Sequence, residues 1–415
     1  MPSLAETAQS LPEPAPAAYT ELDSYYAALD RKGTAHPGYG LYPRDGSAEV
    51  TDVERAISQI TIPGQHRNVV VGSGMAAVYG ALTFGLRHQY EPGAQRQPLV
   101  ASAEELYSQS LEIANADLPS YGSRKRKFNS GDDEEIDRLF EGELPDVIFL
   151  ETVGNSATIP VHNVLRLLQN QRDVEGKKPL IVWDNTLPLS TGINFDDFLD
   201  PEDEVLVVES LTKGGMHNSG HLGVVYSANE ELMDEFRRHK ARLGIVTSTG
   251  IDGLILETIQ ASTETYDERN LALFASAGHI ATELAGAVEI AKATLEKPDP
   301  GFFIPKPVSK TAHPNISTQQ TPVENAGSPV TWISDTSWDE TKTRRVFETI
   351  VAHREVKEQI DEGQLFLGQS FGFEHARLLY DPGATQIRVA GGYGIENEPL
   401  ARALRNAVLD AYIGE

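Results

Sequence analysis

Between Val50 and Leu256 the chain alternates short apolar runs with helix-length amphipathic stretches, and this constrains its fold more than any other feature. Asn68–Val71, Asp146–Leu150, Leu180–Trp183 and Val205–Val208 are runs of the kind that form strands buried on both faces. Directly after the first run, Met75, Val78, Leu82 and Leu86 recur at helical spacing; Val164–Gln171 and Glu230–Arg242 read as further helices. Strands alternating with helices predict an α/β fold, with a mostly parallel sheet covered by helices. A length of 415 residues allows two or three domains.

The flanks have a different texture. Residues 1–50 hold little hydrophobic periodicity and several Gly and Pro, as in His36–Gly40, so they read as an N-terminal arm that borrows its order from something else, a neighbouring subunit being one option. Residues 51–262 form the large domain of this reading, and 263–415 a smaller α+β domain. In the latter, Leu271–Leu295 is a long Ala-rich helical stretch and 297–321 is rich in Pro, Thr and Ser. Val330–Ile333, a helix from Thr341 to about Ile360, the run Gln386–Val389 and a last helix from Pro399 to Tyr412 complete it.

Composition then removes whole classes of chemistry. With no cysteine, the chain has no disulfide, zinc ribbon, iron–sulfur cluster or thiol nucleophile. A formal net charge of −26 argues against nucleic acid or anionic membrane as partners. No segment approaches the roughly 18 uninterrupted apolar residues of a membrane span, and the N-terminus lacks the basic and apolar regions of a signal peptide. The expected location is cytoplasmic. Arg124–Lys127 is the densest basic run and reads as an exposed loop beside the acidic Asp132–Glu135. His217 and His221 flank Asn218-Ser219-Gly220 and read as hydrogen-bonding loop residues, so no metal is expected.

Ligands of open α/β sheets bind beyond the carboxyl ends of the strands. After Asn68–Val71 come Gly72-Ser73-Gly74-Met75, where glycines and free N–H groups at a helix start suit an anion. Leu180–Trp183 leads into Asp184-Asn185-Thr186, and Val205–Val208 into Glu209-Ser210-Leu211-Thr212-Lys213-Gly214-Gly215. Each has a plain alternative: a strand–helix turn, a helix cap, a surface lysine. Together they supply what pyridoxal phosphate requires: a phosphate cradle, a carboxylate for the pyridine nitrogen, and a lysine to hold the aldehyde.

Over roughly residues 36 to 400 the sequence resembles the Cys/Met-metabolism family of pyridoxal-phosphate enzymes, which includes cystathionine γ-synthase, cystathionine γ- and β-lyases and methionine γ-lyase. Tyr42-Pro43-Arg44 resembles the family's Tyr-x-Arg, and Ser73-Gly74-Met75-Ala76-Ala77 its Ser-Gly-Met-Ala-Ala turn. Leu106-Tyr107 resembles the start of Leu-Tyr-Gly-Gly-Thr, and Glu151-Thr152-Val153-Gly154-Asn155 the Glu-Ser/Thr-Pro-x-Asn segment. Asp184-Asn185-Thr186 and Ser210-x-Thr212-Lys213 match in full. Ser370-Phe371-Gly372-Phe373-Glu374 is similar to Ser-Leu-Gly-Gly-x-Glu, and Arg388 sits in a similar Ile-Arg-Val-Ala-Gly-Gly.

The resemblance implies fold type I, an aspartate-aminotransferase-like architecture. It also implies a homodimer or homotetramer in which Tyr42 and Arg44 reach a neighbour's cofactor phosphate. Gly74, Met75, Ser210 and Thr212 would bind that phosphate, and Asn155 the cofactor phenolate. Tyr107 would stack on the ring, either as a stacking partner alone or also assisting proton transfer to the leaving group. Asp184 would hold the ring nitrogen, and Lys213 would carry the cofactor and move the Cα proton. Arg388, with Ser370 and Glu374, would bind the substrate, and Glu374 tips the reading toward γ-chemistry.

The implied activity is γ- or β-elimination or replacement on a sulfur amino acid or homoserine derivative. An aminotransferase or specialised-metabolism enzyme is the alternative, and a silent scaffold a third. The chain departs from the family mainly on the substrate side. Ser108-Gln109 replaces Gly-Gly, Gly214-Gly215-Met216 follows the lysine, and Leu256–Ala261 stands where Arg-Gly-Leu-Lys-Thr-Leu is usual.

Overall fold

The computed structural model describes residues 48–60, 67–89, 96–156, 162–189, 199–216, 220–245, 252–263, 265–294, 302–304, 329–335, 337–368, 375–380, 385–393 and 397–413. Its larger sheet has seven strands: β1 (Arg67–Val71), β2 (Leu99–Ala103), β3 (Arg124–Phe128), β4 (Val147–Glu151), β5 (Leu180–Asp184), β6 (Val205–Ser210) and β7 (Gly223–Ser227). They lie in the order β1-β7-β6-β5-β4-β2-β3. The pairs β2–β3, β2–β4, β4–β5 and β5–β6 are parallel, while β7 runs antiparallel to both β6 and β1.

The four apolar runs are β1, β4, β5 and β6. Every residue of β4 and β5 is buried. Helices pack on the sheet, so the strands carry continuous rather than alternating hydrophobicity. The core gathers Phe149, Trp183, Tyr226 and Phe236 with Leu82 of the Gly74–Gln89 helix.

Arg124–Lys127 is not a loop: it forms most of β3, at the edge of the sheet. A charged edge strand keeps its open hydrogen-bonding row from pairing with another chain, which is a physical reason for four cations on one strand. Arg124 pairs with Glu143, and Lys125 Nζ donates to the Asn115 carbonyl at 3.2 Å.

A second sheet holds β8 (Phe302–Phe303), β9 (Val330–Asp335), β10 (Leu365–Leu367), β11 (Ala376–Tyr380) and β12 (Gln386–Ala390), ordered β10-β11-β12-β9-β8. The single helix expected from Thr341 to Ile360 is instead two, Glu340–Ala352 and Arg354–Asp361. His353 separates them in an extended conformation, φ −60° and ψ 132°. Asp339 caps the first by accepting the Lys342 N–H at 2.7 Å.

The Tyr266–Thr294 helix links the two sheets. Leu273 and Phe274 near its start pack with Val153, Leu187, Leu189 and Trp332, whereas Ile280, Leu284 and Ala287 enter the core of the small sheet. Its Glu268–Thr294 segment is long and apolar enough, by length and composition only, to cross a membrane, although Glu283, Glu289 and Lys292 interrupt its apolar run. More than half of its most apolar window is nevertheless buried inside the protein, and the helix packs along the final helix, Asn397–Ile413. It is built as a core helix.

Candidate active site

At the carboxyl edge of the large sheet, adjacent strands end in acidic residues. Glu151 of β4 and Asp184 of β5 are in register, so both side chains leave the same face. Their chain neighbours project the other way and fix the strand ends from behind. Trp183 Nε1 donates to Thr152 Oγ1 at 2.6 Å, and that hydroxyl donates to Asn185 Oδ1 at 2.6 Å.

Asp184 is buried, which raises its carboxyl pKa, while hydrogen bonds from Thr186 and the charge of Lys213 pull it back. The Thr186 N–H donates to Asp184 Oδ1 at 2.8 Å. Thr186 Oγ1 in turn accepts the Ser210 N–H at 2.9 Å, which ties the end of β6 to that of β5.

Lys213 lies on the one-turn helix Leu211–Gly214 that follows β6. Its Nζ stands 5.8 Å from the centroid of the Tyr107 ring. Burial, and then the nearby Arg388 guanidinium, lower its pKa to about 7 against the opposing pull of Asp184, Glu151 and Glu209. An amine that is substantially neutral near pH 7 can act as nucleophile and base. Arg388 is buried on β12, so the small sheet delivers its cation to the lysine of the large one.

The phosphate side is shaped by glycine. A Cβ on Gly74 would lie 2.4 Å from Ser210 Cβ, so the turn after β1 and the end of β6 close on one another. Ser73 Oγ accepts the Ala76 N–H at 3.1 Å, which opens the Gly74–Gln89 helix and leaves its first N–H groups facing the turn. Thr212 Oγ1 accepts the Leu222 N–H at 3.1 Å and anchors the lysine turn to the start of β7. Gly74, Met75, Ser210, Thr212 and Lys213 therefore gather at one corner.

Tyr107 is held through its backbone, whose N–H donates to Glu151 Oε1 at 2.6 Å. Asn155 sits at the same edge, its N–H donating to the Glu105 carbonyl at 3.3 Å, and Ser156 bonds the Glu105 carboxylate. Tyr42, Arg44, His217, Ser370 and Glu374 lie outside the described residues. The remaining set fits pyridoxal phosphate: a backbone and hydroxyl cradle a Cβ would fill, a buried carboxylate, and a lysine of lowered pKa.

Several residues of this site gave no local signal. Gly223 is one: a Cβ there would stand 2.1 Å from the Ser73 carbonyl oxygen and 3.0 Å from Gly74 N. Gly223→Ala must push the phosphate turn away, and we expect at least a tenfold rise in the cofactor dissociation constant, read by titrating the apo-protein spectrophotometrically.

Leu189 is another, buried at φ 56° in the left-handed region. Its carbonyl accepts from the Tyr266 hydroxyl at 2.9 Å and Asn270 Nδ2 at 3.4 Å, which hold this strained turn in place. Buried Arg269 donates to the Gly214 carbonyl at 3.5 Å and lies 5.5 Å from the Tyr393 ring, bracing the lysine turn against the segment after β12.

Comparisons with known proteins agree with this geometry. No curated relative matches the sequence. Among solved structures, a Campylobacter jejuni protein described as an O-acetylhomoserine (thiol)-lyase, carrying pyridoxyl-lysine monophosphate, has a TM-score of 0.65 at 16% identity, over 96% of this chain and 94% of its own. The Xanthomonas oryzae cystathionine γ-synthase, in complex with aminoacrylate and cysteine, has a TM-score of 0.63 at 18% identity, over 90% and 88%. The Corynebacterium glutamicum metB protein has a TM-score of 0.63 at 16% identity, over 89% and 87%. At these identities the likeness establishes the fold, that of type I pyridoxal-phosphate enzymes. The sequence model of the Cys/Met metabolism PLP-dependent enzymes matches residues 15–260, more than half of the chain. The chain belongs to that family, and its cofactor is pyridoxal 5′-phosphate.

Proposed function

We propose that the protein catalyses elimination or replacement at the γ- or β-carbon of an amino acid with a side-chain leaving group, of the sulfur amino-acid or homoserine-derivative type. The observation that carries this is the lysine site: Lys213, its pKa lowered to about 7, stands beneath Tyr107 with Asp184 and Arg388 close enough to act on its charge. The solved relatives named for O-acetylhomoserine and cystathionine chemistry support the substrate class.

Pyridoxal phosphate, when bound, supplies a sink for the electron pair left at the substrate Cα. The protein's own groups do the rest. The Gly74 and Met75 amides, with the Ser210 and Thr212 hydroxyls, would hold the phosphate. Asp184 would hold the ring nitrogen in its protonated form, and Asn155 would serve the phenolate. Arg388 takes the α-carboxylate in a bidentate grip that no lysine can supply. Lys213, as a neutral amine, removes the Cα proton and returns it. The Tyr107 hydroxyl delivers a proton to the departing group. We further propose a cytoplasmic homodimer or homotetramer, with Tyr42 and Arg44 serving a neighbour's phosphate and Ser370 and Glu374 lining the substrate side.

The test is an assay of the loaded enzyme against cystathionine, methionine, cysteine, O-acylhomoserines and γ-halo amino acids. Elimination releases a 2-oxo acid and ammonia; replacement consumes an added thiol. If none of these reacts, and amino groups instead pass to 2-oxoglutarate, the proposal is overturned in favour of transamination.

A further inference from the structure

Glu151 has no part in the scheme above, yet it occupies the middle of the site. It is buried at the end of β4, beside Asp184 in register on β5, and faces Lys213 from the turn after β6. Its contacts are unequal to those of its neighbour. Asp184 receives the Thr186 N–H and the Thr186 hydroxyl; the donor that reaches Glu151 is the Tyr107 backbone N–H, at 2.6 Å. Two carboxylates on adjacent strand ends, out of water, cannot both keep a full charge. The charge settles on the one with more donors, and the other holds the proton.

We propose that Glu151 is a positioning residue that carries the proton of the Glu151–Asp184 pair, seating the Tyr107 backbone as a neutral carboxyl and leaving Asp184 as the ionised partner of the ring nitrogen. Burial and the Asp184 charge both raise the Glu151 pKa, well above the ordinary glutamate value, against the weaker pull of Tyr107 and Lys213. The arrangement gives the ring nitrogen one negative neighbour in place of two. It also removes one of the buried anions that would otherwise hold the proton of Lys213, leaving Asp184 and Glu209. The groups that face Glu151 are Asp184 from β5, Lys213 from the lysine turn, and the Tyr107 N–H. Arg388 and Glu209 act on Lys213.

This inference rests on the cofactor reading, and the experiment separates the two. The visible absorption of loaded wild-type protein and of Glu151→Gln is followed from pH 5 to 10, and the cofactor dissociation constants of wild type and Glu151→Ala are measured by titrating the apo-proteins. Glutamine is neutral and keeps an oxygen for the Tyr107 N–H. The pH midpoint of Glu151→Gln should therefore stay within about half a unit of wild type. Were Glu151 ionised, the same substitution would delete an anion beside the lysine and lower the midpoint by about a unit or more.

Alanine removes the acceptor, and the dissociation constant should rise about tenfold. A Glu151→Gln midpoint that falls by more than half a unit overturns the proposal, and so does a Glu151→Ala protein that binds cofactor as wild type does. If thermal melting shows that Glu151→Ala does not fold, the glutamine midpoint decides alone. A wild-type protein that takes up no cofactor instead refutes the functional reading, and this proposal with it.

Discussion

Lys213→Ala is expected to lower turnover by about 10³-fold or more, because one substitution removes both the group that holds the cofactor aldehyde and the base at Cα. Uptake of the cofactor should persist in weakened form, since the phosphate cradle around Gly74 and Ser210 does not use the lysine. Steady-state kinetics and a spectrophotometric titration separate the two effects. Wild-type loading carries a pH signature of its own. An amine reacts with an aldehyde only when neutral, so the loading rate of the apo-protein should climb as pH rises through about 7 and level off above it. A lysine with an ordinary pKa would still be climbing near pH 10. A Lys213→Ala enzyme within tenfold of wild type would mean that the chemistry sits elsewhere.

Arg388→Leu carries the second large effect. The guanidinium is buried on β12, and its loss would leave the substrate carboxylate without a partner in a site that already holds Asp184 and Glu209. Charge-assisted hydrogen bonds are worth about 1.5–3 kcal/mol each, so losing a bidentate pair should cut kcat/KM by about 10²-fold or more, chiefly through KM. The same substitution should raise the pKa of Lys213, because Arg388 is one of the groups that hold it down. The pH at which loading levels off would then move upward from about 7. A change in kcat/KM without that movement would show that Arg388 acts at a distance from the lysine.

Legibility in the sequence followed burial. The strands β1, β4, β5 and β6 were readable because sheet residues covered on both faces form unbroken apolar runs. β2, Leu99–Ala103, is partly built of alanine and serine, and β7 begins with Gly223; neither carries such a run. β3 was misread because Arg-Lys-Arg-Lys resembles a solvated loop, and only its place at the sheet edge explains a charged strand. The break at His353 has no Pro or Gly to announce it.

The site divided along the same line. Gly74, Asp184 and Lys213 were visible because each directly follows an apolar strand, where ligands of such sheets bind. Arg388 came only through family likeness, since its sheet forms from a distant part of the chain. Glu151, Gly223, Leu189, Arg269 and Asn270 act through tertiary neighbours: a register partner, a backbone approach, a strained carbonyl. A local pattern does not record such relations.

The central claim is that Lys213 carries pyridoxal phosphate covalently. The most direct measurement is to load the protein, reduce it with borohydride, digest it and sequence the modified peptide by mass spectrometry. The account predicts one phosphopyridoxyl group per chain, on Lys213, lost in Lys213→Ala. Label on another lysine, or none on a protein shown to be folded, would contradict it.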